Sequence, residues 1–257
     1  MSASGPNAPG SNARAPIAPE SGGRHTELIL VRHGVTAWNR ERRFQGQIDI
    51  GLDDEGRAQA VLTGRRLAVW HIDAIYASDL SRARQTAEPI AAERGLAVRI
   101  EPRLRERHYG SFEGRTHEEL ERLQTEAWRR WRRREPDFAL PGGGESLRVF
   151  HTRVVAALGD LARAHPGRTV VAVTHGGVLD IAYRIATGMA LEAPRGHDLL
   201  NASLNRVRWD GCGFSLLAWA DIAHLATSRE PAHDDVEARP RRDPLESPVP
   251  RDTGATR

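Results

Sequence analysis

Two short runs of branched apolar residues each end on a histidine followed by glycine, and this repeated arrangement constrains the chain more than any other feature. Leu28, Ile29, Leu30 and Val31 lead into Arg32, His33 and Gly34, while Thr169 to Val173 lead into Thr174, His175, Gly176 and Gly177. Short runs without polar alternation suit strands buried on both faces of a parallel sheet. Ligands in open α/β sheets bind beyond the carboxyl ends of such strands. Arg32 offers a planar fork of donors to an oxyanion, His33 an imidazole able to be neutral near pH 7, and Gly34 close backbone approach. Gly176 opens a helix whose first N–H groups and positive dipole end favour an anion. For three residues alone, a histidine that merely hydrogen-bonds a carbonyl explains the pattern equally well. Two histidines delivered at two strand ends are harder to dismiss.

Between these runs the chain alternates strand and helix signals. A helix capped by Asp53 or Asp54 is expected to run to about Trp70, followed by a strand at Ala74 to Ala77 that opens into Ser78, Asp79 and Arg82. A helix from Leu80 to Arg94, broken only by Pro89, and a strand near Leu96 to Ile100 come next. Glu106 lies in a loop-like run punctuated by Gly110 and Gly114, where its arginine neighbours also allow a plain surface ion pair. One long helix is expected from Thr116 to Arg134, and another after the turn at Pro141 to Gly144, beginning near Glu145 or Ser146. That glycine run lacks the Lys-Ser/Thr ending of a P-loop and reads as a flexible helix entry. Two strands joined by the Asp210-Gly211 turn close the pattern at a sheet edge. Such alternation argues for a parallel sheet covered on both faces.

Composition bounds the rest. The chain has 257 residues, but 1–24 are Ser, Gly, Pro, Ala and Asn, and 228–257 are charged and Pro-rich, so both ends read as disordered tails around a domain at 25–227. About 200 residues remain for one sizeable core. No run approaches the roughly 18 apolar residues of a bilayer span, and a cytoplasmic location without membrane partners is expected. Every one of the 37 basic residues is Arg, so a net charge of +3 suffices to give a pI near 9.7. That pI argues only weakly for nucleic acid, and none is expected as a partner. The densest run, Arg129 to Arg134 with Trp128 and Trp131, reads as a solvated helix face with tryptophans packing inward. Cys212 is the single cysteine, and the histidines lack paired metal-ligand spacing, so neither disulfide nor metal is expected.

Taken in order, Arg32-His33-Gly34, Arg82, Glu106 and His175 resemble the histidine phosphatase superfamily, the phosphoglycerate-mutase-like group. RHGVTAWN, RFQG, SDLSRARQTA, LRERHYGSFEG, GGGES and VTHGG all look like family blocks in family order. The resemblance implies a three-layer α/β/α sandwich with a mostly parallel central sheet, and a metal-independent phosphatase working without a cofactor. It implies His33 as the nucleophile that becomes phosphorylated, Arg32, Arg82 and His175 as holders of the phosphoryl oxygens, and Glu106 as proton donor, with Asn39 and Gln45 lining the pocket or its rim. The expected partner is a small phosphorylated metabolite, with homodimerisation left open. A phosphoglycerate mutase is the alternative that ERHYG favours, but Gln45 and Gln47 and the absence of lysine depart from that branch. A module that binds phosphorylated ligands without turnover would have lost the nucleophile or an arginine, and none is lost.

Overall fold

Alternate side chains of the first strand part to opposite faces of one sheet. In β1 (Thr26–Arg32), Leu28 and Leu30 join one fully buried cluster while Ile29 and Val31 join another. The period of two along an extended chain requires this split. It explains why the sequence here is apolar without alternation, since both faces are covered.

The computed structural model describes residues 25–226, so the tails expected at 1–24 and beyond 227 lie outside the described residues. The remaining strands are β2 (Ala74–Ala77), β3 (Val98–Ile100), β4 (Thr169–Thr174), β5 (Leu204–Trp209) and β6 (Phe214–Asp221). The sheet order is β3-β2-β4-β1-β5-β6. The first four neighbours pair parallel, whereas β5 runs antiparallel to both β1 and β6. The sheet is therefore mixed: the expected parallel body carries an antiparallel hairpin at one edge.

Seven α-helices among the described residues surround it: α1 (Ala37–Arg40), α2 (Asp54–Leu67), α3 (Ser81–Arg94), α4 (His117–Leu123), α5 (Thr125–Arg132), α6 (Leu147–Ala164) and α7 (Gly176–Thr187). Leu67 of α2 and Ala83, Ala87 and Ile90 of α3 cover the face of Ile29, Val171 and Ile75. Phe150, Val154 and Leu158 of α6, with Leu179 and Ile181 of α7, cover the face of Leu28, Leu30 and Val170. Three layers result. Burying a Leu or Val side chain contributes about 1.5–3 kcal/mol, so these two interfaces supply the main cohesion of the fold.

Local signals set several boundaries. Asp53 caps α2 through Gly56 N, and Ser146 caps α6 through Val149 N. Two expectations are corrected. Pro89 does not break α3, which runs through it, and α2 packs closely at this point: a Cβ on Gly64 would lie 2.9 Å from the Pro89 carbonyl oxygen. The single helix expected over 116–134 is two helices, divided at Gln124, whose φ of −137° leaves the helical region. Gln124 instead exchanges side-chain bonds with Ser111. Trp128 points inward as expected, joining Phe44, Tyr109 and Phe112 in a third cluster beside the sheet.

Candidate active site

Because β1 and β4 pair in parallel register, Arg32 lies opposite Thr174, and the residues that follow each emerge side by side. His33 N–H donates to the Thr174 carbonyl at 3.0 Å, and the rings of His33 and His175 lie 5.2 Å apart. The next strand, β2, places Ala77 opposite Val173 and so starts α3 at the same rim. Arg82, on the first turn of α3, points back over the strand ends and is wholly buried. Three neighbouring strands thus deliver three of the expected residues to one place, through pairing that no local sequence signal encodes.

The hydrogen bonds define which nitrogen of each histidine carries hydrogen. His33 Nδ1 lies 2.7 Å from the Gly34 carbonyl, which can only accept, so Nδ1 holds the proton and Nε2 carries the lone pair. Arg82 Nε donates to His175 Nδ1 at 3.2 Å, and arginine can only donate, so the proton of His175 sits on Nε2. His175 Nε2 is buried and meets no hydrogen-bonding partner among the described residues. The two rings therefore present a nucleophilic lone pair and an unused donor side by side. Burial, then the charges of Arg82 and Arg32, hold the basicity of His33 well below the usual histidine value. His175 is lowered in the same way, first by burial and then by Arg82. Both rings stay neutral at pH 7.

Arg32 and Arg82 supply the positive charge, each held at its far end by carbonyls. Arg32 Nη1 donates to Leu199 O; Arg82 donates to Ile48 O at 3.0 Å and Gly46 O at 2.7 Å. Such forks suit an oxyanion in a water-poor site.

Glu106 is buried rather than paired at the surface. Its carboxylate accepts from Arg107 N at 2.7 Å and from Gly177 N at 2.9 Å. The helix N-terminus that opens with Gly176 therefore spends the Gly177 donor on Glu106. A Cβ on Gly177 would sit 2.2 Å from the Glu106 oxygen, so only glycine lets the carboxylate approach. Thr174 Oγ1 donates to the Leu104 carbonyl at 2.8 Å and fastens the loop carrying Glu106 to the end of β4.

Asn39 and Gln45 are buried and joined through Thr36, whose Oγ1 lies 3.0 Å from an amide oxygen of each. Asn39 also completes a capping box with Thr36 at α1. Gln45 precedes Gly46, whose carbonyl anchors Arg82, so both amides lie at the margin of the arginine site. Three contributors lacked a sequence signal. Asn201 Nδ2 donates to the His33 carbonyl at 2.9 Å, and Thr86 Oγ1 accepts from Gly34 N at 3.0 Å. Ala202, at φ 55°, turns the chain so that its N–H meets the Arg32 carbonyl. His108 lies with Nδ1 3.0 Å from the Gly143 carbonyl. No group of three or more His, Cys, Asp or Glu able to hold a metal occurs among the described residues, nor any helix long and apolar enough to cross a membrane.

The chain as a whole has relatives among known proteins. Residues 28–222 match the model described as histidine phosphatase superfamily (branch 1). The chain is 40% identical over 204 residues to the metal-independent phosphoserine phosphatase of Arabidopsis thaliana, covering 79% of this chain and 84% of that protein. It is 39% identical over 204 residues to phosphoglycerate mutase-like protein 4 of the same plant, covering 78% and 87%. Among solved structures, a mycobacterial glucosyl-3-phosphoglycerate phosphatase superposes with a TM-score of 0.67 at 30% identity, over 77% of this chain and 99% of that one.

Proposed function

The chain belongs to the histidine phosphatase superfamily, branch 1, and from that membership we propose that it hydrolyses small phosphate monoesters through a phosphohistidine on His33. The observation that carries the proposal is the complementary pair of tautomers: a lone pair on His33 Nε2 beside a buried, unused N–H on His175 Nε2. Phosphoryl transfer asks mainly for positioning and for positive charge around the equatorial oxygens. Arg32, Arg82 and the His175 N–H supply both.

In the first half, the His33 Nε2 lone pair forms a bond to phosphorus as the ester P–O bond breaks. The departing oxygen takes the bonding electrons, and Glu106, carrying a proton in the ester complex, transfers it to that oxygen. The alcohol leaves. In the second half, water attacks phosphorus, Glu106 accepts the water's proton, and the electrons of the N–P bond return to His33. Inorganic phosphate is released, and Glu106 ends with the proton it began with. Asn39 and Gln45 line the margin through which the organic part enters, while Gly176 opens α7, whose N-terminal dipole end favours the phosphate.

The names of the relatives support a small phosphorylated acid as substrate, phosphoserine among the candidates. The mutase-like relative favours a second reading, transfer of the phosphoryl group back to a sugar acid instead of water. Measuring phosphate release from a panel of small monoesters, against interconversion of 3- and 2-phosphoglycerate, separates the two. Phosphate release that disappears in His33→Ala is the expected result; dominant interconversion, or turnover that survives this substitution, would overturn the proposal.

A further inference from the structure

The GGGES block supplies more than a helix entry. Glu145 follows the glycines, and its carboxylate accepts a two-pronged bond from Arg153 of α6, Nε to Oε1 at 2.9 Å and Nη2 to Oε2 at 2.8 Å. The other N–H groups of the same guanidinium reach the main chain on the near side of Glu106. Nη1 donates to Arg103 O at 2.8 Å and Arg105 O at 2.9 Å, and Nη2 to Glu106 O at 3.2 Å. All five donors of the fork are thus in use. Glu145 grips the far side: its Oε2 accepts from His108 N at 2.8 Å, and its carbonyl accepts from the Arg107 side chain at 2.8 and 3.1 Å. The Arg153 guanidinium also lies 5.0 Å from the Phe150 ring, and that ring backs Gly177, whose N–H holds Glu106.

We propose that Arg153 and Glu145 are positioning residues for the proton-transfer step, a buckle that fixes the backbone of 103–108 so that the Glu106 carboxyl meets the leaving oxygen. This rests on the reading of Glu106 as proton donor. The hydrogen bonds of Arg153 go to Glu145 and to the 103–106 main chain, not to the phosphate clamp, although its charge is near enough to help lower the basicity of His175; neither residue is expected to contact the phosphoryl group. Each is less than one-fifth exposed, so the pair is shielded from the solvent that weakens surface ion pairs. Lysine cannot replace the arginine, because a single ammonium cannot span a carboxylate and three carbonyls on different sides.

The test uses the full chain and a series of aryl phosphates whose phenols differ in acidity, from para-nitrophenyl phosphate to phenyl phosphate. Good leaving groups depart without a proton; poor ones need it. Relative to the native chain, Arg153→Lys and Glu145→Gln are expected to lower kcat/KM for phenyl phosphate by about 100-fold while lowering it for para-nitrophenyl phosphate by less than about threefold. Glu106→Gln should show the same selective loss. An equal fall across the series in the buckle variants, or failure of both to fold by thermal melting, marks a structural role only and overturns the inference. A Glu106→Gln series without the selective loss overturns instead the underlying assignment of the proton donor.

Discussion

Arg82 donates its Nε–H to Nδ1 of His175, and this one bond at 3.2 Å decides which face of the second histidine carries hydrogen. Burial does most to lower the basicity of both rings, and the same guanidinium lowers it further. Arg82 thus orients one imidazole and helps to keep both neutral, in addition to offering charge to an oxyanion.

Replacing Arg82 by glutamine should therefore do more than weaken binding. Loss of a preorganised donor to the developing charge is expected to lower kcat/KM by about 100- to 1,000-fold. The acidic limb of the pH profile should also move upward, because one of the charges that holds His33 neutral is gone. A pH series of kcat/KM on both proteins checks this; an unshifted limb contradicts the role given to Arg82.

The native enzyme should remain active as pH falls through the ordinary histidine value of about 6.5, since protonation of His33 is displaced to lower pH. Activity lost with a midpoint at or above that value would contradict a buried, neutral nucleophile.

Stability should follow the same groups. The folded pKa values of His33 and His175 are depressed, so below the unfolded value the unfolded chain binds more protons than the folded one. Their contribution is fully present above about pH 6.5 and is lost as pH falls toward the folded values, by about 1.4 kcal/mol per pH unit for each histidine. Denaturant titrations of native and His175→Gln proteins from pH 7 downward measure the difference in slope, which should be smaller in the variant.

Gly177→Ala tests the approach of the carboxyl. The added methyl would lie 2.2 Å from the Glu106 oxygen, a contact that forces the acid aside. Displacement of a reacting group by about 1 Å costs on the order of 100-fold in rate. A fall of that size in kcat/KM for phenyl phosphate, with inorganic phosphate still inhibiting as before, is the expected outcome; unchanged turnover would mean that the carboxyl is not needed where it lies.

Little more than one turn along α7 from His175, Asp180 accepts from Arg184 at 3.0 Å and from Arg134 at 2.7 Å, with His197 Nε2 3.1 Å away. It joins the segment after α5 to α7. Asp180→Asn leaves Arg184 buried without its counter-charge, and a loss of about 3–5 kcal/mol is expected. Equilibrium denaturation reads it directly, and a loss below about 1 kcal/mol would show the cluster to be replaceable.

The residues themselves determined the strands, the caps at Asp53 and Ser146, the turn at Asp210-Gly211 and the histidines at two strand ends, because these depend on apolar periodicity and on side chains acting within one turn. Tertiary structure decided the rest. Glu106 in its arginine-rich loop reads locally as a surface ion pair, and it is buried through tertiary contacts that include the Gly177 N–H and the closure of the loop on Thr174. The carbonyl of Gly34 is part of the sequence, yet its claim on His33 Nδ1 depends on a ring orientation set by packing. Asn201 meets His33 across 168 residues, and Arg153 meets the Glu106 loop across 47. Contacts at such separations form when strands pair and layers close, and short-range sequence signals do not encode which strands become neighbours.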